Sequence, residues 1–221
     1  MTRRSLAAAA LLAALAAAPP AAPPATAHPH VFVDAGLGFV FGADGTLEAL
    51  EITWRLDPFE TLYTLSSEGL ALNEEGGLDQ AAQDHLAAQF MQWPADFDGF
   101  AKLSVGGVAT RMAAPEALRV EVVEGHLQVS FTRRLEAPAV LDGASAEVAA
   151  YEATYYYAVT MPELPVLRGA AAGCSARAIP FEPDTDLTTL QTSLFDLGRE
   201  ETPGIANVGA LFADRVVVTC D

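Results

Sequence analysis

Two runs near the start of the chain, residues 30–41 and 46–56, are β-rich, and the second alternates between hydrophobic and polar side chains. In the second run the hydrophobic positions are Leu50, Ile52, Trp54 and Leu56. A period of two is typical of β-strands that bury one face. The segment Gly42-Ala43-Asp44-Gly45 joins the two runs, and an Asp-Gly pair in this position indicates a tight turn. The sequence therefore predicts an antiparallel β-hairpin.

The sequence after the hairpin predicts two helices separated by a loop. Asp57 can cap a helix that begins at Pro58, and Glu60 follows at the spacing of a capping box. The first helix is predicted over residues 58–68 and the second over residues 79–91. Helix capping is therefore one role that the sequence predicts for the carboxylate of Asp57. Its position at a strand end also makes it a candidate metal ligand.

The loop between these helices resembles the calcium-binding loop of an EF-hand in outline. Aligning Gly76 with the sixth loop position puts Ala71 at the first position and Ala82 at the twelfth. Calcium loops carry acidic ligands at both of those positions. We therefore expect no tight calcium site at residues 71–82.

The remainder of the chain is richer in strand patterns than in helical ones. Strands are predicted near residues 100–105, 118–123, 126–135, 147–160 and 215–220, with a short helix over residues 185–197. The run over 147–160 contains four tyrosines within seven residues. Such a run suits a sheet with one face in water.

The first 27 residues have the three parts of a secretory signal peptide. Arg3-Arg4 precedes an apolar run over residues 6–18, and Ala25-Thr26-Ala27 ends the segment. The apolar run is shorter than the roughly 20 residues of a membrane-spanning helix. We expect cleavage after Ala27 and export to the periplasm, without a lipid anchor because no cysteine lies near the cleavage point. The paired arginines leave both the general and the twin-arginine export routes open.

Charge and motif content argue against several classes of function. Asp and Glu number 29 against 12 Lys and Arg, which gives a formal net charge of −17. A surface of this sign repels phosphates, which argues against nucleic acid and anionic lipid as partners. The sequence contains no G-x-S-x-G, H-E-x-x-H, P-loop or G-x-G-x-x-G motif. Enzymes that depend on these motifs are thereby excluded.

The chain has two cysteines, Cys174 and Cys220. In an oxidising compartment an even number of cysteines indicates a disulfide, which here would hold the C-terminal strand. The alternative is a pair of thiolate ligands for a metal, and this requires more ligands than the neighbouring sequence offers.

These patterns together predict an α+β fold that is antiparallel and β-rich. Its parts are an N-terminal hairpin, a helix–loop–helix insertion and a C-terminal strand pinned by the disulfide. A boundary near residues 93–99 would divide the chain into parts 28–95 and 96–221. One continuous domain over 28–221 is the alternative.

Cleavage after Ala27 would make His28 the first residue of the segment His28-Pro29-His30-Val31-Phe32-Val33-Asp34. In an extended strand, His28 and His30 share one face about 7 Å apart, so their imidazoles can converge on one metal ion. The free α-amino group of His28 would supply a further nitrogen. The alternative is a loose, solvated terminus.

Pro29 excludes one type of metal site. The common N-terminal copper and nickel motif uses the amide nitrogen of the second residue as an ionised ligand, and proline has no N–H.

Imidazole ligands suit zinc, nickel, cobalt or copper. Asp57 and Glu152 are candidates for the third and fourth ligands beside His28 and His30.

Several segments resemble the bacterial domain-of-unknown-function family 1007. They are His28-Pro29-His30-Val31-Phe32-Val33-Asp34, Ile52-Thr53-Trp54-Arg55-Leu56-Asp57 with Phe59, Tyr151-Glu152-Ala153-Thr154-Tyr155-Tyr156, Gly173-Cys174 and Arg215-Val216-Val217-Val218-Thr219-Cys220. The resemblance covers nearly all of the chain after the leader, in order. It implies export as the periplasmic component of an ABC-type transport system, with a link to transition-metal transport. Glu152 stands where relatives often carry Asp, a difference that preserves the charge.

We therefore expect an exported periplasmic accessory protein that binds a divalent transition metal and serves a membrane transporter component. Two other classes of function stay open. One is a copper-dependent redox enzyme that uses the amine and imidazole of His28 with a second histidine, His85 or His126. The other is a metal-free interaction module that binds through its tyrosine-rich sheet. The sequence predicts no oligomeric state.

Overall fold

The two β-rich runs at the start of the chain form the predicted antiparallel hairpin. A computed structural model describes residues 28–94, 97–198 and 201–221. Strand β1 (Val31–Phe41) pairs with β2 (Leu47–Leu56), with Gly36 opposite Thr53. Alternate residues of β1 are buried, which confirms the period-two interpretation. The predicted signal peptide and its cleavage point before His28 lie outside the described residues.

Both predicted helices of the insertion form, and each begins at an aspartate cap. Helix α1 (Pro58–Ser67) starts after Asp57, and helix α2 (Gln80–Phe90) starts after Asp79. A third helix, α3 (Thr185–Phe195), matches the prediction for residues 185–197. A short 3-10 helix covers Val208–Phe212. The oxygens of Asp57 and Asp79 accept hydrogen bonds from backbone N–H groups that a helix start leaves unpaired, which explains where α1 and α2 begin.

The later strands are β3 (Ala101–Val105), β4 (Val108–Ala109), β5 (Glu116–Val123), β6 (His126–Ala139), β7 (Ser145–Ala150), β8 (Tyr157–Thr160), β9 (Val166–Gly169), β10 (Cys174–Ile179) and β11 (Asp214–Cys220). They complete two sheets among the described residues. The first has the order β5-β6-β2-β1-β8, and β9 also pairs with β1. The second has the order β10-β11-β7-β3-β4. The α+β, β-rich fold class is therefore confirmed.

Most strand pairs are antiparallel, but β1 makes two parallel pairs. Its first half pairs with β8, where Val31 stands opposite Tyr157, and its second half pairs with β9. Parallel neighbours are necessarily distant in sequence, because the chain must cross back between them. No pattern in the sequence predicts these pairings. They place the turn before β8 against the start of β1.

One hydrophobic core is shared by the two sheets. It contains Leu50 of β2 and Val129 of β6 from the first sheet, together with Val148 of β7 and Val218 of β11 from the second. A smaller cluster joins α3 to the 3-10 helix through Tyr155, Leu194 and Phe212.

The predicted disulfide is confirmed. Cys174 and Cys220 lie directly opposite each other on the antiparallel strands β10 and β11 and are bonded. Strand β11 also pairs with β7 on its other side. The bond therefore holds the end of a strand that lies inside the second sheet.

The prediction of one continuous strand over residues 147–160 is wrong. Strand β7 ends at Ala150 and strand β8 starts at Tyr157, with a turn between them. Tyr155 has a positive φ of 61°, which a continuous strand does not allow. The Glu152 carboxylate accepts bonds from the main chain of this turn, and such local bonds compete with strand pairing.

No helix among the described residues is both long enough and apolar enough to cross a membrane.

Candidate functional site

His28 and His30 lie at the entrance to β1, against the turn that precedes β8. The amide of His30 donates a hydrogen bond of 2.8 Å to the carbonyl oxygen of Tyr156. The amide of Val31 approaches the same oxygen at 3.3 Å. The main chain at His30 and Val31 is therefore held against the turn before β8.

Three rings form a cluster at this point, and we call it the histidine–tyrosine cluster: His28, His30 and Tyr156. The ring centroids of His28 and His30 are 4.7 Å apart, with an angle of 70° between the ring planes. The Tyr156 ring lies 4.7 Å from that of His30 and 6.0 Å from that of His28. The two imidazoles are thus closer than the 7 Å expected for a regular strand.

The His28 side chain is buried without a partner for one of its nitrogens. The residue is 2% exposed, and its Nδ1 atom has no hydrogen-bond partner among the described residues. Buried polar atoms in proteins are nearly always hydrogen-bonded, and an unpaired one costs about 1–3 kcal/mol. Water, another protein atom or a metal ion would satisfy such a nitrogen. The chemistry of the atom fits a metal ligand, since a neutral imidazole coordinates through an unprotonated nitrogen.

Glu152 shapes the turn that presents Tyr156. One oxygen of its carboxylate accepts a bond from the Thr154 amide at 2.8 Å. The other accepts the Thr154 hydroxyl at 2.8 Å and the Tyr156 amide at 2.9 Å. Gly209 of the 3-10 helix packs beneath the turn, where a Cβ would overlap the carbonyl oxygen of Glu152. Glu152 therefore fixes the residue whose carbonyl oxygen holds His30.

Asp57 fixes the main chain on the other side of the histidines. Its Oδ1 caps α1 by accepting the amides of Phe59 and Glu60 at 2.8 and 2.9 Å. Its Oδ2 accepts the amide of Phe32, two residues after His30, at 3.0 Å. The Asp57 amide donates back to the Phe32 carbonyl oxygen. Both carboxylates that the sequence proposed as ligands thus support the backbone that carries the imidazoles.

The structure brings the rings of His28 and His30 together, but both residues precede β1, so they do not lie in the extended strand that the sequence predicted. No group of three or more His, Cys, Asp or Glu side chains suited to a metal ion occurs within residues 28–94, 97–198 and 201–221. The ligand roles of Asp57 and Glu152 stay predictions.

The other two histidines have separate partners. His85 Nε2 lies 2.7 Å from a carboxylate oxygen of Glu68, which links α2 to the end of α1. His126 Nδ1 lies 2.8 Å from the Leu56 carbonyl oxygen at the end of β2. Among the described residues, the imidazole ring that contacts His28 belongs to His30.

An aromatic groove of about 660 Å³ opens beside the histidine–tyrosine cluster. We define it by its aromatic rings Trp54, Phe90, Trp93, Phe97, Phe100, Tyr156 and Tyr157 and its two carboxylates Glu60 and Glu152. Tyr156 belongs to both features. Sequence reasoning missed this groove, because the stretch 93–99, which contains Trp93 and Phe97, was interpreted only as a possible domain boundary.

Burial affects the phenol of Tyr157 in the groove wall. Burial is the main cause that raises the pKa of Tyr157 above its ordinary value of 10.0. The negative charges of Glu60 and Glu152, together with Tyr156, add to this rise in pKa. Both carboxylates therefore act on the same part of the groove, and the phenol stays protonated at neutral pH.

Comparison with protein families gives one result. A family model described as "Protein of unknown function (DUF1007)" matches residues 10–220. The match covers nearly the whole chain, so the chain belongs to this family. A comparison with curated proteins gives no match.

Proposed function

We propose that this member of the DUF1007 family is an exported accessory protein that binds a divalent transition metal and delivers it to a membrane transporter. One observation carries the proposal: the buried Nδ1 atom of His28 lacks a hydrogen-bond partner among the described residues, and the His30 ring lies beside it. Two imidazoles at this separation suit zinc, nickel, cobalt or copper. The metal is cargo in this proposal and not a catalytic cofactor.

Export supports the same reading. The Cys174–Cys220 disulfide fits a protein that folds in an oxidising compartment such as the periplasm. Cleavage after Ala27, as the leader predicts, would give His28 a free α-amino group. That amine would be a third nitrogen next to the imidazoles, and a carboxylate or water would complete a four-coordinate site.

The test is native mass spectrometry of protein purified from the periplasm, which reports the mature N-terminus and any bound metal together. The wild type is compared with the double variant His28→Ala/His30→Ala and with His85→Ala. His85 is the matched control, because it is an exposed histidine paired with Glu68 away from the cluster. We expect the double variant alone to lose zinc, nickel or copper. Equal metal content in all three proteins would refute the proposal.

A variant with Gly-Ser added before His28 separates two kinds of site. It blocks the terminal amine and leaves both imidazoles in place. If this variant keeps its metal, the site is a two-imidazole carrier site, which is the expected result. If it loses copper selectively, the amine is a ligand, and oxygen consumption with copper and a reductant then tests the redox-enzyme alternative.

A second candidate function, an interaction module without metal, is favoured by the exposed side of α1. Phe59, Leu62 and Tyr63 lie at helical spacing and are 74%, 65% and 52% exposed. Exposed apolar groups of this kind often mark protein contacts. Binding to a membrane transporter component that is lost in Phe59→Ser/Leu62→Ser, yet unchanged by a metal chelator, would support this function over metal delivery.

A further inference from the structure

We propose that the aromatic groove binds a small organic ammonium ion. This inference goes beyond metal delivery and does not depend on it, because it rests on the groove and not on the imidazole nitrogens. The supporting features are the aromatic walls, the two carboxylates and the size of the groove.

The walls consist of closely packed aromatic rings. Trp54 stacks on Trp93 with 5.6 Å between ring centroids, and the Phe97 ring lies 4.8 Å from that of Trp93. Phe100 lies 5.2 Å from Trp54 and 5.0 Å from Tyr157. The faces of such rings carry negative partial charge and attract cations, most strongly when the cation has little bound water. Alkylated ammonium ions meet this condition.

The charge in the groove has one sign. Glu60 and Glu152 line it, and no Lys or Arg is among its described lining residues. Three hydrogen bonds hold the Glu152 carboxylate in place, so its charge is fixed in position. The field of these two groups favours a cationic ligand and disfavours a carboxylate or phosphate.

Two cationic residues that contact aromatic rings, Arg133 and Lys102, make other contacts. The guanidinium carbon of Arg133 is 5.7 Å from the centre of the Trp93 ring. Its N–H groups donate to three carbonyl oxygens, those of Asp98, Met112 and Ala113. Lys102 pairs with Asp98 and lies 3.9 Å from the centre of the Tyr151 ring. Neither residue lines the groove.

The size of the groove favours a small molecule over a bare metal ion. Its volume of about 660 Å³ falls within the usual range for small-molecule sites. A hydrated metal ion would gain little from aromatic walls, and a neutral apolar molecule would gain nothing from the carboxylates. An ammonium group with attached alkyl carbons uses both.

The protein contains its own reporter for the test. Its two tryptophans, Trp54 and Trp93, both line the groove, so fluorescence reports directly on its occupancy. Full-length mature protein is titrated with choline in the presence of a metal chelator. The matched probe is 3,3-dimethylbutan-1-ol, which replaces the choline nitrogen with carbon and removes the charge. We expect saturable binding of choline and about tenfold weaker binding of the alcohol.

Two variants test the groove itself. Glu60→Gln should weaken choline binding about threefold, as for the loss of one partly exposed charge. Glu74→Gln removes the same charge in an exposed turn that does not line the groove and should have no effect. Phe97→Leu keeps an apolar wall but removes a ring, and it should weaken choline binding more than binding of the alcohol. Circular dichroism and thermal unfolding establish that each variant is folded.

Several results would overturn the proposal. They are equal affinity for choline and the alcohol, absence of a saturable signal with choline, and unchanged choline binding in both Glu60→Gln and Phe97→Leu. Tighter binding of N-acetyl-lysine methylamide than of choline would assign the groove to a protein side chain instead. The His28→Ala/His30→Ala variant should bind choline normally. Choline binding by this variant therefore distinguishes failure of the metal proposal from failure of the groove proposal.

Discussion

The imidazole of His28 lies edge-on to the imidazole of His30, with 4.7 Å between the ring centroids. His28 is buried although it precedes the first strand, and its Nδ1 atom has no hydrogen-bond partner among the described residues. Burying an unpaired nitrogen destabilises the metal-free protein, whereas a bound metal removes that cost. Stability and metal binding should therefore respond oppositely to changes at His28.

The variant His28→Phe tests this opposition. Phenylalanine retains a ring and removes the unpaired nitrogen, so the free energy of unfolding of the metal-free protein should stay within about 1 kcal/mol of wild type or rise. Zinc at about 100 times its dissociation constant should stabilise the wild type by about 2.7 kcal/mol and leave the variant unchanged. Urea unfolding with and without zinc measures both quantities.

His85→Phe is the control for this experiment, because it removes an imidazole that lies outside the cluster. It should keep the full stabilisation by zinc. Stabilisation of His28→Phe by zinc to the wild-type extent would contradict the assignment of His28 as a ligand.

Asp57→Ala should destabilise the protein more than Asp79→Ala. Both residues cap a helix, but Asp57 accepts three backbone amides, including that of Phe32 in β1, whereas Asp79 accepts that of Ala82. Loss of a helix cap costs about 1 kcal/mol, and the additional contact with β1 should bring the cost at Asp57 to about 2 kcal/mol. Chemical denaturation of the two variants gives the comparison, and equal costs would show that the contact with Phe32 contributes nothing.

The double variant Cys174→Ala/Cys220→Ala should lower the free energy of unfolding by up to roughly 4 kcal/mol. The bond closes a loop with a sequence separation of 46 and so restricts the unfolded chain. Non-reducing peptide mapping should recover the linked pair from wild-type protein. Ser175→Ala/Thr219→Ala changes the neighbouring pair on the same two strands and should cost less than about 1 kcal/mol. Free thiols in protein from the periplasm would refute the bond.

Stability should fall as pH rises above about 10, in part because of Tyr157. Burial raises the pKa of Tyr157 above 10.0 in the folded protein, so the unfolded chain loses this proton first. The unfolded state then binds fewer protons than the folded state, and the free energy of unfolding decreases until pH passes the folded pKa. Below the unfolded pKa the contribution of Tyr157 is fully present.

Urea unfolding at several pH values between 9 and 11 measures this decrease. The variant Tyr157→Phe should show a shallower decrease than wild type. Tyr63→Phe changes an exposed ring on α1 and should leave the decrease unchanged. Identical pH profiles for Tyr157→Phe and wild type would mean that burial of this phenol does not couple to folding.

The sequence alone determined the features that depend on neighbours in the chain. β-branched and aromatic residues predicted β1, period-two alternation predicted β2, and Asp57 with Pro58 predicted the start of α1, because these signals act within a few residues. The two cysteines gave the disulfide, because no other pairing exists in the chain. The His-Pro-His segment likewise identified the two imidazoles that meet.

Only the tertiary structure decided which residues surround those imidazoles. The parallel pairing of β1 with β8 brings Tyr156 against His30, and no local pattern specifies a pairing between strands so far apart in sequence. The Glu152 carboxylate ends the tyrosine-rich strand by bonding to its own turn, so Tyr156 and Tyr157 line a groove instead of a continuous sheet. The sequence offered Asp57 and Glu152 as candidate ligands. In the structure Asp57 also bonds to Phe32 of the distant strand β1, and Glu152 bonds to the turn that presents Tyr156 to His30, so both support the backbone of the site.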